Sequence, residues 1–199
     1  MWNSVNAHGV HSPFVFNLVT KGFYTKRGMD FSSTNAIVLN DAALSTLFKT
    51  IAYFKSYKLL ALAEDATGIT EIIRSTAEEI NAKIWFYSTV VPVPGGVDLA
   101  ILSGSDTVSM LSLFEQILTD VNNNSVCAIP HIHVTPQMEA AWETIKKDPS
   151  VTVTIDTYHL GLIFFRREQT KQHFIIRPFQ SKMLDAVLGV RTFWGLLLR

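Results

Sequence analysis

Four short, nearly unbroken apolar runs constrain the fold most: Lys58–Ala63, Lys83–Ser88, Val97–Leu102 and Ser125–Ile129. Stretches with a helical repeat separate them. Ile69, Ile72, Ile73, Ala77 and Ile80 share one face of Gly68–Ile80. Val108, Leu111, Phe114, Ile117, Leu118 and Val121 share one face of Asp106–Val121. A strand that is apolar throughout must be covered on both faces, and strands alternating with helices pair mainly in parallel. The pattern predicts an α/β fold. After Ile129 the period changes. Thr135 caps a helix that starts at Pro136, buries Met138, Ala141, Trp142 and Ile145, and stops at Asp148-Pro149. Val151, Val153 and Ile155 then alternate with threonines, and Leu160 to Phe165 is continuously apolar, which predicts an antiparallel hairpin across Asp156 to His159.

Two helices precede the first strand. Ser12 is an N-cap with Pro13 at the first helical position, followed by Phe14, Val15, Leu18 and Val19 at helical spacing. Residues 22–36 read as a loop, and Asp41–Phe54 as a helix with Leu44, Leu47, Phe48 and Ile51 on one face. The expected division is a helical cap over residues 1–57, an α/β unit over 58–179 and an apolar C-terminal helix over 180–199, compact together. In that last segment only Lys182, Asp185, Arg191 and Arg199 carry charged side chains, so a helix there needs cover. The expected cover is the sheet edge or a second copy of the chain, giving a homodimer.

Seventeen basic residues balance seventeen acidic ones, so no overall field draws in nucleic acid. One cysteine, Cys127, forms no intrachain disulfide and no cysteine-based zinc site, and is expected to be a small buried apolar residue. No signal peptide pattern opens the chain and no apolar run is long enough to span a membrane, so a cytoplasmic location is expected.

Particular residues carry a resemblance. His8-Gly9-Val10-His11-Ser12-Pro13-Phe14-Val15-Phe16 opens the chain, and Glu139, Trp142, Glu143, Ile145 and Lys146 lie in one helix. Val151 to Asp156, Phe164 to Arg166 and Gln172 to Arg177 follow. In these segments the chain resembles a bacterial family of class I S-adenosylmethionine-dependent methyltransferases. The match covers about residues 8–60 and 97–177. It implies a Rossmann-like fold, with a mainly parallel sheet closed by a C-terminal antiparallel hairpin.

In such a family the first strand turns into a glycine-rich loop that lets the cofactor approach backbone and a helix N-terminus. Here that loop reads Leu62-Ala63-Glu64-Asp65-Ala66-Thr67-Gly68, where only Gly68 remains and Glu64 or Asp65 would intrude. The second strand is expected to end in an acidic residue for the ribose hydroxyls; here Ser88 stands there, a weaker acceptor than a carboxylate. The link from Thr89 to Gly96 is too short for a helical crossover, which needs about 10–12 residues, so the fold is truncated between its second and third strands. Ser103 and Pro130 replace the acidic residues that hold a divalent cation in metal-assisted relatives. The cofactor-binding positions that would matter in an active protein are thus Glu64, Asp65, Gly68, Ser88 and Ser103.

His131 and His133, two apart after a strand, form a weak metal pattern that His159 or Asp98 would complete; hydrogen-bonded strand-end histidines are the plainer reading. Glu64 and Asp65 have the chemistry for general acid–base work, but an acidic pair also simply solvates a loop ahead of a helix. No nucleophile triad or phosphate-binding loop is identifiable. The sequence is therefore read as a non-catalytic protein of methyltransferase fold, without bound cofactor, catalytic residue or metal, acting as a binding or oligomeric scaffold. The alternative is an active S-adenosylmethionine-dependent O-methyltransferase of a small molecule.

Overall fold

The computed structural model describes residues 11–26, 39–63, 67–79, 81, 83–87 and 93–179, with the backbone alone of Thr67, Gly68 and Ile72. Helix α1 (Pro13–Asn17) starts as the Ser12-Pro13 pair predicts, with Ser12 Oγ accepting from the Val15 N–H. It runs without a break into a π-helical turn, Leu18–Phe23. The loop expected from residue 22 therefore begins later, and Gly22 and Phe23 are buried. The reason is close packing. A Cβ on Gly22 would stand 3.1 Å from Leu18 Cδ1 and 3.3 Å from the Tyr53 ring, so glycine lets the two helices meet. Helix α2 (Asp41–Phe54) has Asn40 as its cap, and Leu44, Leu47, Phe48 and Ile51 are all buried.

The rest alternates: β1 (Lys58–Ala63), α3 (Thr67–Glu79), β2 (Trp85–Tyr87), β3 (Val97–Ser103), α4 (Thr107–Ile117), β4 (Val121–Pro130), α5 (Pro136–Lys147), β5 (Val153–Asp156), β6 (Leu160–Phe164) and β7 (Gln172–Ile175). The sheet order is β2-β1-β3-β4-β6-β5-β7. β2, β1, β3 and β4 run parallel, β6 is antiparallel to β4 and β5, and β7 lies parallel to β5 at the edge. This is an α/β fold with a mostly parallel sheet and the hairpin read from the sequence. Each face carries its own core. Leu59, Ala61, Leu99, Ile101, Val126 and Ala128 meet α1, α2 and α3. Leu60, Leu62, Ala100, Leu102, Cys127 and Ile129 meet α4 and α5. Burial pushes the Cys127 thiol far above its ordinary value, so it behaves as an apolar side chain.

Three expectations need correction. Helix α4 ends at Ile117 instead of reaching Val121, which already belongs to β4. Capped at Asp106, α4 buries Met110, Phe114 and Ile117, while Val108 is 79% exposed. Strand β4 extends back through Asn122–Asn124 because the Val97 N–H bonds to the Asp120 carbonyl and Val97 pairs with Val121 across a register shift. Ser125 Oγ holds that irregularity, donating to the Val97 carbonyl and accepting from the Asn122 N–H. Strand β7 was not foreseen. Among the described residues, no helix is long and apolar enough to cross a membrane.

Candidate functional site

Consecutive strands β2 and β3 flank β1 on opposite sides, so the sheet changes its direction of growth between β1 and β3. In open α/β sheets the crevice outside the carboxyl ends of such a strand pair is where ligands bind. Ser103, the last residue of β3, sits at this point, paired with Ala63 at the end of β1. Gly68 lies in the first turn of α3. Glu64, Asp65 and Ser88 lie outside the described residues. Of the five sequence-derived positions, the structure thus places two beside the switch point.

Beyond Ser103 the chain folds tightly onto α4. Ser109 Oγ accepts from the Ser105 N–H at 3.2 Å and the Asp106 N–H at 3.1 Å, and the Ser109 N–H returns a bond of 2.8 Å to Asp106 Oδ1. That N–H holds the Asp106 carboxyl below the usual carboxylate range. A Cβ on Gly104 would stand 2.8 Å from the Met110 nitrogen and 2.9 Å from Ser109 Oγ. Glycine is required here for a helix to back onto the loop. The Asp106 and Ser109 N–H groups at this helix N-terminus already have partners.

The neighbouring strand ends gather the histidines. Asp98, at the start of β3, accepts from the Tyr57 and Lys58 N–H groups, both at 2.9 Å. It holds the opposite edge of the sheet, roughly 17 Å of strand from Ser103, and shares no site with His131 or His133. His131 takes a left-handed conformation (φ 60°), which ends the strand's alternation and keeps it from facing the same side as His133. Its N–H bonds to the His159 carbonyl at 3.1 Å. His159 Nδ1 lies 2.9 Å from the Asn40 amide. The metal set considered from spacing is therefore dispersed.

His133 instead joins two carboxylates. Its Nε2 is 2.7 Å from Asp156 Oδ2 and its Nδ1 is 2.9 Å from Glu139 Oε1. Burial lowers the imidazole pKa, but the bonds to Glu139 and Asp156 and the charges of both outweigh it, so the pKa is raised. The Tyr158 ring stacks on His133, centroids 5.5 Å apart, and its edge meets His159. Tyr158 also has a positive φ (73°), the first position of the two-residue turn between β5 and β6, and is 48% exposed. With a carboxylate at each nitrogen, the ring favours its doubly donating, protonated form. The cluster ties the β4–α5 turn to β5. Sequence reading missed the roles of Ser109, Asp156, Tyr158 and Asn40. Only the Asp106-x-x-Ser109 spacing was a local signal; the other partners are brought in by long-range pairing.

No family model and no curated protein matches the sequence. Solved structures with a similar fold include an O-methyltransferase from Bacillus cereus in complex with SAH, at 10% identity over 67% of this chain and 85% of that one (TM-score 0.40). Another is an SAH-bound methyltransferase from Podospora anserina, at 9% identity over 79% and 97% (TM-score 0.47). Likeness at this level says nothing about individual residues, and the fold rests on strand order and register.

Proposed function

We propose that this chain keeps a methyltransferase-like scaffold without a working S-adenosylmethionine site and acts by binding. The carrying observation is the closed turn after β3: its donors are bonded to Ser109 and its backbone is pressed against Met110. A nucleoside cofactor needs open backbone and acceptors at the switch point, and Ser103 offers only a neutral hydroxyl. The residues present there do not fit the cofactor. β2 is the outer strand on that side of the sheet, and only residues 88–96 join it to β3, too few for a helix and a further strand.

The same reading makes the molecule an oligomeric scaffold. β7 ends the sheet, Ile175 and Phe179 beside it are exposed, and the chain leads from there into the apolar segment 180–199. We assign that segment to contact with a second copy. Sedimentation of the full chain against a chain ending at Arg177 tests this: the full chain is expected to be a dimer and the shortened one a monomer. Equal mass, stability and solubility would refute it. An active small-molecule O-methyltransferase is the rival. It requires SAH to raise the melting temperature by mass action, whereas this proposal expects no shift at about 1 mM SAH.

A further inference from the structure

A second cleft lies far from the carboxyl edge, where the π-helical turn crosses the C-terminal half of α2. It holds about 400 Å³ and is lined by Lys21, Gly22, Thr25, Lys49, Ala52 and Tyr53. That size is within the range of small-molecule sites. Asn40, at the start of α2, bonds to His159 at the carboxyl edge, and Tyr53 follows thirteen residues later, roughly 20 Å along the helix. The cleft is therefore independent of the crevice between β1 and β3.

Its chemistry has one sign. Lys49 is half-buried, and its Nζ donates to the Phe23 carbonyl at 2.8 Å, the end of the π-helical turn. Burial lowers its pKa, because no carboxylate among the described residues compensates the charge. Lys21 projects from the facing turn and makes no ion pair among the described residues. The Arg166 guanidinium is close enough to act on the Tyr53 phenol, whose pKa burial nonetheless raises. The phenol keeps its proton as a donor, and no hydrogen bond to it is found among the described residues. The Thr25 hydroxyl donates to the Gly22 carbonyl at 2.8 Å, which holds the end of the π-helical turn. A π-helical turn in an otherwise regular helix is itself a frequent mark of function. Gly22 maintains the cleft's shape, since a Cβ there would press on the Tyr53 ring.

We propose that this cleft binds a phosphate group, with Lys21 and Lys49 supplying the charge, Tyr53 a hydroxyl donor and the Tyr53 ring and Ala52 an apolar floor for the rest of the ligand. A phosphate dianion would give the half-buried Lys49 ammonium a charged partner beside the Phe23 carbonyl it already bonds. The source is a soluble phosphate ester or a lipid headgroup. The test is calorimetric titration of the full chain with inorganic phosphate and phenyl phosphate, and flotation with phosphatidylcholine vesicles with and without phosphatidic acid. Lys21→Gln, Lys49→Gln and, as a control on the far side of the sheet, Lys147→Gln are compared. Phenyl phosphate is expected to bind with a dissociation constant of about 1 mM or tighter, weakened at least about fivefold by Lys21→Gln and Lys49→Gln but not by Lys147→Gln. Lysine-dependent binding to phosphatidic acid vesicles alone also supports the proposal and identifies the phosphate as a headgroup. Lys21 is exposed, so Lys21→Gln is expected to unfold at the wild-type temperature, and its loss of binding then reports the cleft. Absence of binding to every probe up to about 10 mM, or binding by Lys21→Gln and Lys49→Gln as tight as that of the wild type, overturns it.

Discussion

His133 shows how two carboxylates can hold one residue through both of its nitrogens. Each ring nitrogen faces a carboxylate, so the favoured form is the doubly donating cation. Its pKa is raised in the folded chain relative to the ordinary value of 6.5. The stabilisation it brings is therefore full below pH 6.5 and is lost as pH rises through the folded value. His133→Gln is expected to destabilise the protein by about 1–2 kcal/mol near pH 5.5, with the difference shrinking by pH 9. Urea denaturation across that range measures it, and a difference that grows with pH would refute the assignment. Gly104 makes the complementary point. With a Cβ, the residue would collide with the Met110 backbone, which cannot swing away. Gly104→Ala is expected to cost about 1–3 kcal/mol, read from the denaturation midpoint.

At the level of elements, legibility depended on whether the signal was local. β1 and the start of α5 could be read to the residue because Leu59 to Leu62 is apolar throughout and because Thr135 and Pro136 mark a helix start, and α2 from its apolar face. The boundary between α4 and β4 could not, since Asn122–Asn124 reads as loop and becomes strand only through Val97 and Ser125. Ser125 is buried with both hydroxyl roles in use, so Ser125→Ala is expected to cost about 1–3 kcal/mol by leaving the Val97 carbonyl and the Asn122 N–H unmet. Thermal denaturation of the variant checks this. β7 was hidden because an edge strand half-exposed along its length, with Gln172 and His173 in it, has no apolar run. Trp142 in α5 lies flat against Gly161, where a Cβ would stand 2.8 Å from the ring. Trp142→Ala is expected to cost about 3–5 kcal/mol by leaving a cavity over β6, again measured by chemical denaturation.

Taken whole, the molecule has the mostly parallel α/β sheet and the switch point at which such sheets bind ligands, with a tightly bonded turn after β3. The order of strands, the switch between β1 and β3 and the two apolar cores follow from patterning that spans the chain. The turn after β3 is shaped by a few atoms, Ser109 Oγ and the missing Cβ of Gly104 among them, and these are set by the fold of one turn rather than by any periodicity. The bonds that shape this turn could not be read from Ser103. Calorimetric titration of the full chain with S-adenosylmethionine measures the outcome directly. The account predicts no saturable heat at ligand concentrations up to about 1 mM; a dissociation constant tighter than about 100 µM, roughly 5.5 kcal/mol of binding, would contradict it.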